Sequence, residues 1–162
     1  MRDMGKWLAF AALIVAADQL AKYAAVQTLG PGTVVAVTPF FNLVLTYNSG
    51  AAFSFLSDAA GWQRGLFIVI ALAASAWIVF LLRKYPKQSR FALALSLVLA
   101  GAVGNVIDRI LIGAVIDFLD FHALGYHWPA FNVADSAITC GAALLIWDAL
   151  RPKQSENPDA KS

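Results

Sequence analysis

Two aspartates in this chain lie where a carboxylate is costly. Asp117 is in the stretch AVIDFLDF, between apolar neighbours, and Asp135 follows Asn132 by three residues at the start of a long apolar run. An ionised carboxylate in an apolar environment costs several kcal/mol unless it is paired or hydrated. Helix N-terminal chemistry, with Asn132 as the cap, can explain Asp135. Asp117 has no such explanation, so we expect it to have a polar partner.

A pair of aspartates can hydrolyse a peptide bond without a cofactor. Two carboxylates held within a few ångströms cannot both ionise easily, so they share one proton. The ionised member takes a proton from an attacking water, while the protonated member donates to the carbonyl oxygen and later assists the leaving amine. A helix N-terminus beside Asp135 favours this residue as the ionised partner. The sequence lacks GxSxG, HExxH and a Cys/His pair on one face, which disfavours serine, zinc and cysteine mechanisms.

The histidines raise the alternative of a metal site. His122 and His127 lie near the carboxylates in sequence, but ligand spacings such as HxxxH or ExxH are absent. We therefore expect neither a metal nor a cofactor. Asp58 and Asp120 are expected to be solvated and to take no part in the chemistry.

Composition places the chain in a membrane. It is 60% hydrophobic and 14% charged, with a mean hydropathy of +0.67, whereas soluble domains have about 45–50% apolar and about 25% charged residues. The net charge of +2 is too small to indicate nucleic-acid binding. The single cysteine, Cys140, excludes an intrachain disulfide.

Four segments are long and apolar enough to span a bilayer, which takes roughly 20 helical residues. They cover residues 7–26, 66–82, 91–107 and 133–150. The first segment also resembles a signal peptide cleaved after Ala17, but its apolar character continues past Asp18 and Lys22, a favourable helical ion pair. We predict one integral-membrane domain over residues 1–150, followed by a polar cytoplasmic tail, 151–162.

Basic residues predict the topology, because cytoplasmic flanks are enriched in Lys and Arg. They occur before the first span, in RKYPKQSR (83–90) between the second and third, and after the fourth. Both termini are then cytoplasmic, and segments 27–65 and 108–132 face outward. The outer segment 33–56 is rich in β-branched and aromatic residues, which predicts a small β element on the membrane surface. The expected fold is thus all-α in the membrane, with four transmembrane helices and an outer β element.

Polar residues recur on the faces of two predicted spans. Helical spacing places two stripes on facing helices, where they would form one site with Asp18 and Lys22 of the first span. Small residues in the third span would let the helices approach closely. The third-span stripe comprises Gly101, Gly104, Asn105 and Asp108, and the fourth-span stripe comprises Asn132, Asp135, Ser136 and Thr139. Simpler explanations also exist: Asp18 with Lys22 as a structural ion pair, and Asp108 with Arg109 as an anchor of a helix end.

Five blocks in order resemble a known family, bacterial lipoprotein signal peptidase or signal peptidase II. They are DQLAK (18–22), YNSGAAFSFL (47–56), GAVGNVIDR (101–109), VIDF (115–118) and FNVADSAI (131–138). The resemblance implies an intramembrane aspartyl endopeptidase of the inner membrane, with four transmembrane helices and an outer β-cradle. Such an enzyme cleaves prolipoproteins before the diacylglyceryl-modified cysteine, on the periplasmic side.

The resemblance also implies roles for individual residues. Asp117 and Asp135 would be the catalytic pair. The partners would be prolipoprotein substrates and membrane lipids, without nucleic acid, and the protein would be monomeric. The supporting polar residues would be Asp18, Lys22, Asn48, Gly50, Asn105, Asp108, Arg109 and Asn132.

Two rival functions from other classes remain. Intramembrane carboxylates are also typical of a proton- or ion-coupled transporter, which would cut no peptide bond. Polar stripes can pair with a partner helix in a structural assembly subunit. The transporter is disfavoured because the acidic residues gather at one end of the predicted spans.

Overall fold

The computed structural model describes residues 2–50 and 62–151. Asp58 and the predicted tail beyond residue 151 lie outside these residues. The elements, in chain order, are α1 (Arg2–Thr28), β1 (Val34–Thr38), β2 (Phe41–Asn48), α2 (Trp62–Lys84), α3 (Ser89–Leu111), β3 (Val115–Ala123), β4 (Tyr126–His127) and α4 (Val133–Leu150).

All four helices in the described residues are long and apolar enough to cross a membrane, with mean hydropathies between 1.4 and 2.7. Helix α1 continues without a break past Ala17, Asp18 and Lys22. Helices α2 and α3 extend several residues beyond the predicted 66–82 and 91–107. Helix α3 can contain Asp108 because the carboxylate has bonding partners inside the protein, which removes the cost of leaving it unpaired.

Helix α3 is the central helix of the bundle. In the apolar 18-residue stretch of α3, 61% of residues are buried, against 17–22% in the corresponding stretches of the other three helices. Helix α3 packs against α1, α2 and α4. Glycines allow the close approach to α4. A Cβ at Gly101 would collide with the carbonyl oxygen of Ala134, and one at Gly141 would lie 2.8 Å from the carbonyl oxygen of Ala94. The predicted close approach through small residues is confirmed.

The strands form one antiparallel sheet in the order β1-β2-β3-β4. The β-rich outer segment predicted at 33–56 accounts for β1 and β2 only, and strand β3 was not predicted. Most of β3 is buried, so it lacks the apolar and polar alternation that marks a half-exposed strand. Pairing of β2 with β3 sets Thr46 opposite Asp117 and Asn48 opposite Val115. This register brings the Asn48 side chain within hydrogen-bonding distance of Asp117.

A small apolar cluster fixes the sheet on the helices. Ala25 and Leu29 at the end of α1 pack with Leu45 of β2 and with Ile116 and Phe118 of β3. Burial of these side chains orients β3 beside the end of α1. We call this end of the helix bundle the sheet end, and it carries the polar residues described next.

Candidate active site

Asp117 is held in the middle of the sheet end by two amides. The residue is only 2% exposed. Asn132 Nδ2 donates to Asp117 Oδ1 at 2.7 Å, and Asn48 Nδ2 donates to Oδ2 at 3.1 Å. Each carboxylate oxygen therefore has a hydrogen-bond donor. The expectation that Asp117 has a polar partner is confirmed.

Burial raises the pKa of Asp117 to about 6, because it disfavours the charged carboxylate. Hydrogen bonds from Asn48 and Asn132 and the charge of Lys22 act in the opposite direction, and the neighbouring charge of Asp135 adds to the rise. A carboxyl group with this pKa is partly protonated near neutral pH. It can serve as a proton donor where an ordinary aspartate cannot.

Asp135 occupies the first turn of α4. Asn132 caps this helix, as predicted, and its Oδ1 accepts from the backbone N–H of Asp135 at 2.8 Å. Asn105 Nδ2 of α3 donates to Asp135 Oδ1 at 2.8 Å. Among the described residues Asp135 Oδ2 has no hydrogen-bond donor, and the side chain is partly exposed. One oxygen of Asp135 is thus anchored and the other is open to a water molecule.

Asn132 contacts both aspartates. Its amide nitrogen donates to Asp117 while its amide oxygen accepts from the Asp135 backbone. Asn132 is fully buried, so neither contact competes with solvent. The arrangement ties two aspartates from different elements to one asparagine.

Lys22 is the centre of a buried charged network behind Asp135. Its Nζ lies 2.8 Å from Asp18 Oδ2, 2.7 Å from Asp108 Oδ2 and 3.1 Å from Asn105 Oδ1. These three acceptors match the three N–H donors of a lysine ammonium. The predicted Asp18–Lys22 ion pair is confirmed, and it belongs to a larger unit that reaches the site through Asn105.

The two acids of this network also hold backbone groups. Asp18 Oδ1 accepts from the backbone N–H of Ala134 in the first turn of α4, at 2.8 Å. Asp108 Oδ2 accepts from the backbone N–H of Ile116, at 3.2 Å. Asp135 directly follows Ala134, and Asp117 directly follows Ile116. The network therefore locates both chain segments that carry them.

Sequence reasoning did not single out Gln19. Its Nε2 lies within 3.2 Å of Asp18 Oδ2, 3.2 Å of the Gly104 carbonyl and 3.0 Å of Asp108 Oδ1. Helical stripes are read from spacings of three and four residues, and Gln19 directly follows Asp18, so the spacing argument passes over it. Its position inside the DQLAK block was the available signal.

Gly50 and Arg109 lie at the edge of the site. The backbone N–H of Gly50 donates to Asn48 Oδ1 at 2.9 Å, which turns the Asn48 amide nitrogen toward Asp117. Gly50 has a φ of 91°, which favours glycine. The guanidinium of Arg109 lies 5.3 Å from the Phe67 ring centre, and its Nη1 donates to the carbonyl oxygen of Asn105 at 3.3 Å.

Other candidates take no part in this cluster. Ser136 Oγ donates to the carbonyl oxygen of Asn132 within its own helix, and Thr139 is exposed. His127 lies in the short strand β4 and bonds to Asp120, while its ring stacks on that of His122 at 4.9 Å. Over the described part of the chain no group of three or more His, Cys, Asp or Glu residues is arranged to hold a metal ion.

The prediction that Asp120 is solvated is wrong, because Asp120 is only 6% exposed. Asn42 lies opposite Asp120 in the sheet and donates to Oδ2 at 2.8 Å, and His127 Nδ1 lies 2.9 Å from both oxygens. Burial alone would raise the pKa of Asp120, but the bonds from Asn42 and His127 outweigh it and lower the pKa. Successive residues of a strand point to opposite faces, so Asp120 and Asp117, three apart, lie on different faces.

Comparisons with known proteins agree on one family. The family model of signal peptidase (SPase) II matches residues 10–151. A lipoprotein signal peptidase of Paraburkholderia phymatum is 54% identical over 149 residues, which are 92% of this chain and 90% of the relative. One of Cupriavidus pinatubonensis is 59% identical over 145 residues, 90% of this chain and 82% of the relative.

Solved structures show the same architecture. A bacterial membrane enzyme has a TM-score of 0.82 at 35% identity, covering 92% of this chain and 95% of that structure. A second bacterial membrane enzyme has a TM-score of 0.77 at 34% identity, covering 98% of this chain and 94% of that structure. The resemblance and the predicted architecture, four membrane helices with a small β element, are confirmed. With its fold, its sequence blocks and nearly its whole length matched, the chain belongs to the signal peptidase II family, a family of proteases.

Proposed function

We propose that this chain is an aspartyl endopeptidase in which Asp117 and Asp135 form the catalytic pair. The observation that carries the proposal is their arrangement around Asn132, which bonds to the carboxylate of one and the backbone of the other. Family membership makes the activity that of a lipoprotein signal peptidase. The substrates are prolipoproteins carrying a diacylglyceryl-modified cysteine, and the bond cut lies on the N-terminal side of that cysteine.

The two carboxyl groups differ in the way the reaction requires. Asp117 is deeply buried with a pKa near 6, so it holds the shared proton. Asp135 has one oxygen anchored by Asn105 and one that accepts no hydrogen bond from the described residues. A water molecule beside the open oxygen gives its proton to Asp135 and attacks the scissile carbonyl carbon, while Asp117 donates its proton to the carbonyl oxygen.

Collapse of the tetrahedral intermediate completes the reaction. The C–N bond breaks as the proton taken up by Asp135 passes to the leaving nitrogen, and Asp117 recovers a proton from the hydroxyl group. The products are a new carboxyl group on the signal peptide and a free amine on the lipidated cysteine. The pair returns to its starting state with a single proton.

The supporting residues fall into two groups. Asp18, Lys22 and Asp108 are fully buried, so they position the site without touching substrate. Asn48 and Arg109 are partly exposed at its edge, where an amide and a guanidinium can hold a substrate backbone. Asn105 and Asn132 orient the two aspartates, and Gly50 orients Asn48.

The proposed location is the bacterial inner membrane, with both termini in the cytoplasm and the sheet end at the periplasmic surface. Arg83 and Lys84 end α2 and thus lie at the opposite end from the sheet. This supports the proposed orientation, because cytoplasmic flanks are enriched in basic residues. The protein is proposed to act as a monomer. The alternative of an ion-coupled transporter receives no support from the comparisons.

Cleavage of a diacylglyceryl-modified prolipoprotein by the purified protein tests the proposal. Asp117→Asn and Asp135→Asn are nearly isosteric and cannot ionise, so each is expected to lower kcat by several orders of magnitude. Asp120→Asn is the matched control, since it alters a buried aspartate on the other face of the same strand. Near wild-type cutting by either of the first two folded variants would refute the dyad, and Asp108 or Asp18 would be tested next.

A further inference from the structure

An apolar cleft lies between α1 and α2, away from the sheet end that carries Asp117 and Asp135. It has a volume of about 530 Å³ and is bounded by all three of the helices α1, α2 and α3. The first two scarcely contact each other, so α3 forms the floor. Its lining includes Leu8 and Ala12 of α1, Ala76 and Val79 of α2, and Leu99 and Ala100 of α3.

The cleft continues into a hollow with a basic rim. This hollow, of about 400 Å³, shares Ala76 and Val79 with the cleft and is also lined by Arg83 and Lys84. Both basic side chains are exposed in the last turn of α2. A membrane-facing apolar slot thus ends at two cations, the arrangement expected where one molecule has a hydrocarbon tail and an anionic head.

We propose that the α1–α2 cleft binds an anionic phospholipid, with an acyl chain in the cleft and the phosphate on Arg83 and Lys84. Basic pockets between membrane helices bind anionic lipid head groups in this way. Small residues such as Ala12 and Ala76 leave the room that a hydrocarbon chain fills. In the proposed topology, the lipid belongs to the cytoplasmic leaflet.

The other natural occupant, the signal helix of a substrate, fits less well. Signal peptides begin with a positively charged region on the cytoplasmic side. That region would lie beside Arg83 and Lys84, where like charges repel.

The test measures lipid binding and therefore does not depend on peptidase activity. Purified protein is exchanged into detergent with phosphatidylglycerol or phosphatidylethanolamine of identical acyl chains, and bound lipid is counted by native mass spectrometry. Wild type is expected to retain more phosphatidylglycerol than phosphatidylethanolamine. Removing both charges, Arg83→Ala with Lys84→Ala, is expected to weaken this retention roughly 30-fold, since each basic group near an anionic lipid contributes about fivefold.

Two matched controls separate the cleft from general charge and size effects. Lys87→Ala with Arg90→Ala removes two exposed charges that do not line the hollow, and it is expected to change retention less than about twofold. Ala76→Leu fills the cleft and is expected to expel lipid, whereas Ala73→Leu, exposed on the same helix but outside the cleft, is not. Melting temperatures identify a variant that fails to fold. If Ala76→Leu fails, Ala12→Leu replaces it as the cleft-filling variant.

Three outcomes would overturn the proposal. Equal retention of the two lipids would mean that the cleft does not select an anion. Equal losses in the two charge pairs would mean general surface attraction. If Ala76→Leu left lipid retention unchanged, the cleft would not hold the acyl chain. If the proposed peptidase function failed, lipid retention would be unaffected, because the binding assay contains no substrate.

Discussion

Lys22 fixes the orientation of Asn105, because its Nζ donates to Asn105 Oδ1 at 3.1 Å. With the amide oxygen occupied in this way, the amide nitrogen must point to the other side, where it donates to Asp135 Oδ1 at 2.8 Å. A lysine in the first membrane helix thus determines which group faces an aspartate at the start of the fourth. The charge of Lys22 is itself neutralised by Asp18 and Asp108.

The first prediction concerns this relay. Asn105→Ala removes the donor to Asp135, and hydrogen bonds to charged groups contribute about 1.5–3 kcal/mol. We expect kcat to fall about 10- to 100-fold with little change in KM. Asn42→Ala, which removes a buried amide from Asp120 on the other face of the sheet, is the control. A kcat in Asn105→Ala as high as that in Asn42→Ala would contradict the relay.

The second prediction concerns the pKa of Asp117. Its folded value of about 6 lies above the ordinary value of 3.8, so the folded protein binds this proton more tightly than the unfolded chain. The contribution to stability is therefore full below about pH 4 and is lost as pH rises to about 6 and beyond. Asp117→Asn cannot titrate, so its melting temperature relative to wild type should rise between pH 4.5 and pH 8.

Thermal unfolding in detergent across this pH range provides the measurement. The comparison uses the change with pH and not the absolute difference, because the substitution also alters bonds to Asn48 and Asn132. Two parallel curves for wild type and variant would show that the pKa of Asp117 is not raised.

The third prediction concerns the contact between α1 and α3. A Cβ at Gly104 would lie 2.7 Å from Asp18 Oδ2, so Gly104→Ala must displace the carboxylate that pairs with Lys22 and caps Ala134. We expect a loss of about 1–3 kcal/mol in stability together with reduced kcat. Gly65→Ala in α2 has no atom within 4 Å of its added Cβ and should be neutral or slightly stabilising. Equal melting temperatures for the two variants would contradict the close contact.

The fourth prediction separates the two functions of Asn132. Asn132→Ala loses the helix cap, at a cost of about 1 kcal/mol, and also the donor to Asp117. Asn132→Ser keeps a capping oxygen but lacks that amide donor. We expect the serine variant to melt higher than the alanine variant and to remain equally inactive. Recovery of activity along with stability would show that Asn132 acts only as a cap.

The helices could be predicted from the sequence because the relevant physics is local. A span needs about 20 apolar residues, and caps and small residues act on their immediate neighbours. The Asn132 cap and the Asp18–Lys22 pair depend on spacings along one helix, and the small residues of α3 that permit the approach to α4 are visible in its sequence. The two catalytic candidates were named from the five sequence blocks.

Tertiary structure decided how these pieces meet. Strand β3 was not predicted because its burial on both faces removes the alternation that identifies a strand. Asp120 was expected to be solvated because its partners, Asn42 and His127, come from other strands. Gln19 joins Asp18 to Asp108 across α1 and α3, which no spacing within α1 reveals. The sequence by itself determined the membrane helices and the polar stripes, because their periodicity is local, whereas the pairing of strands and buried charges was decided only by contacts between distant segments.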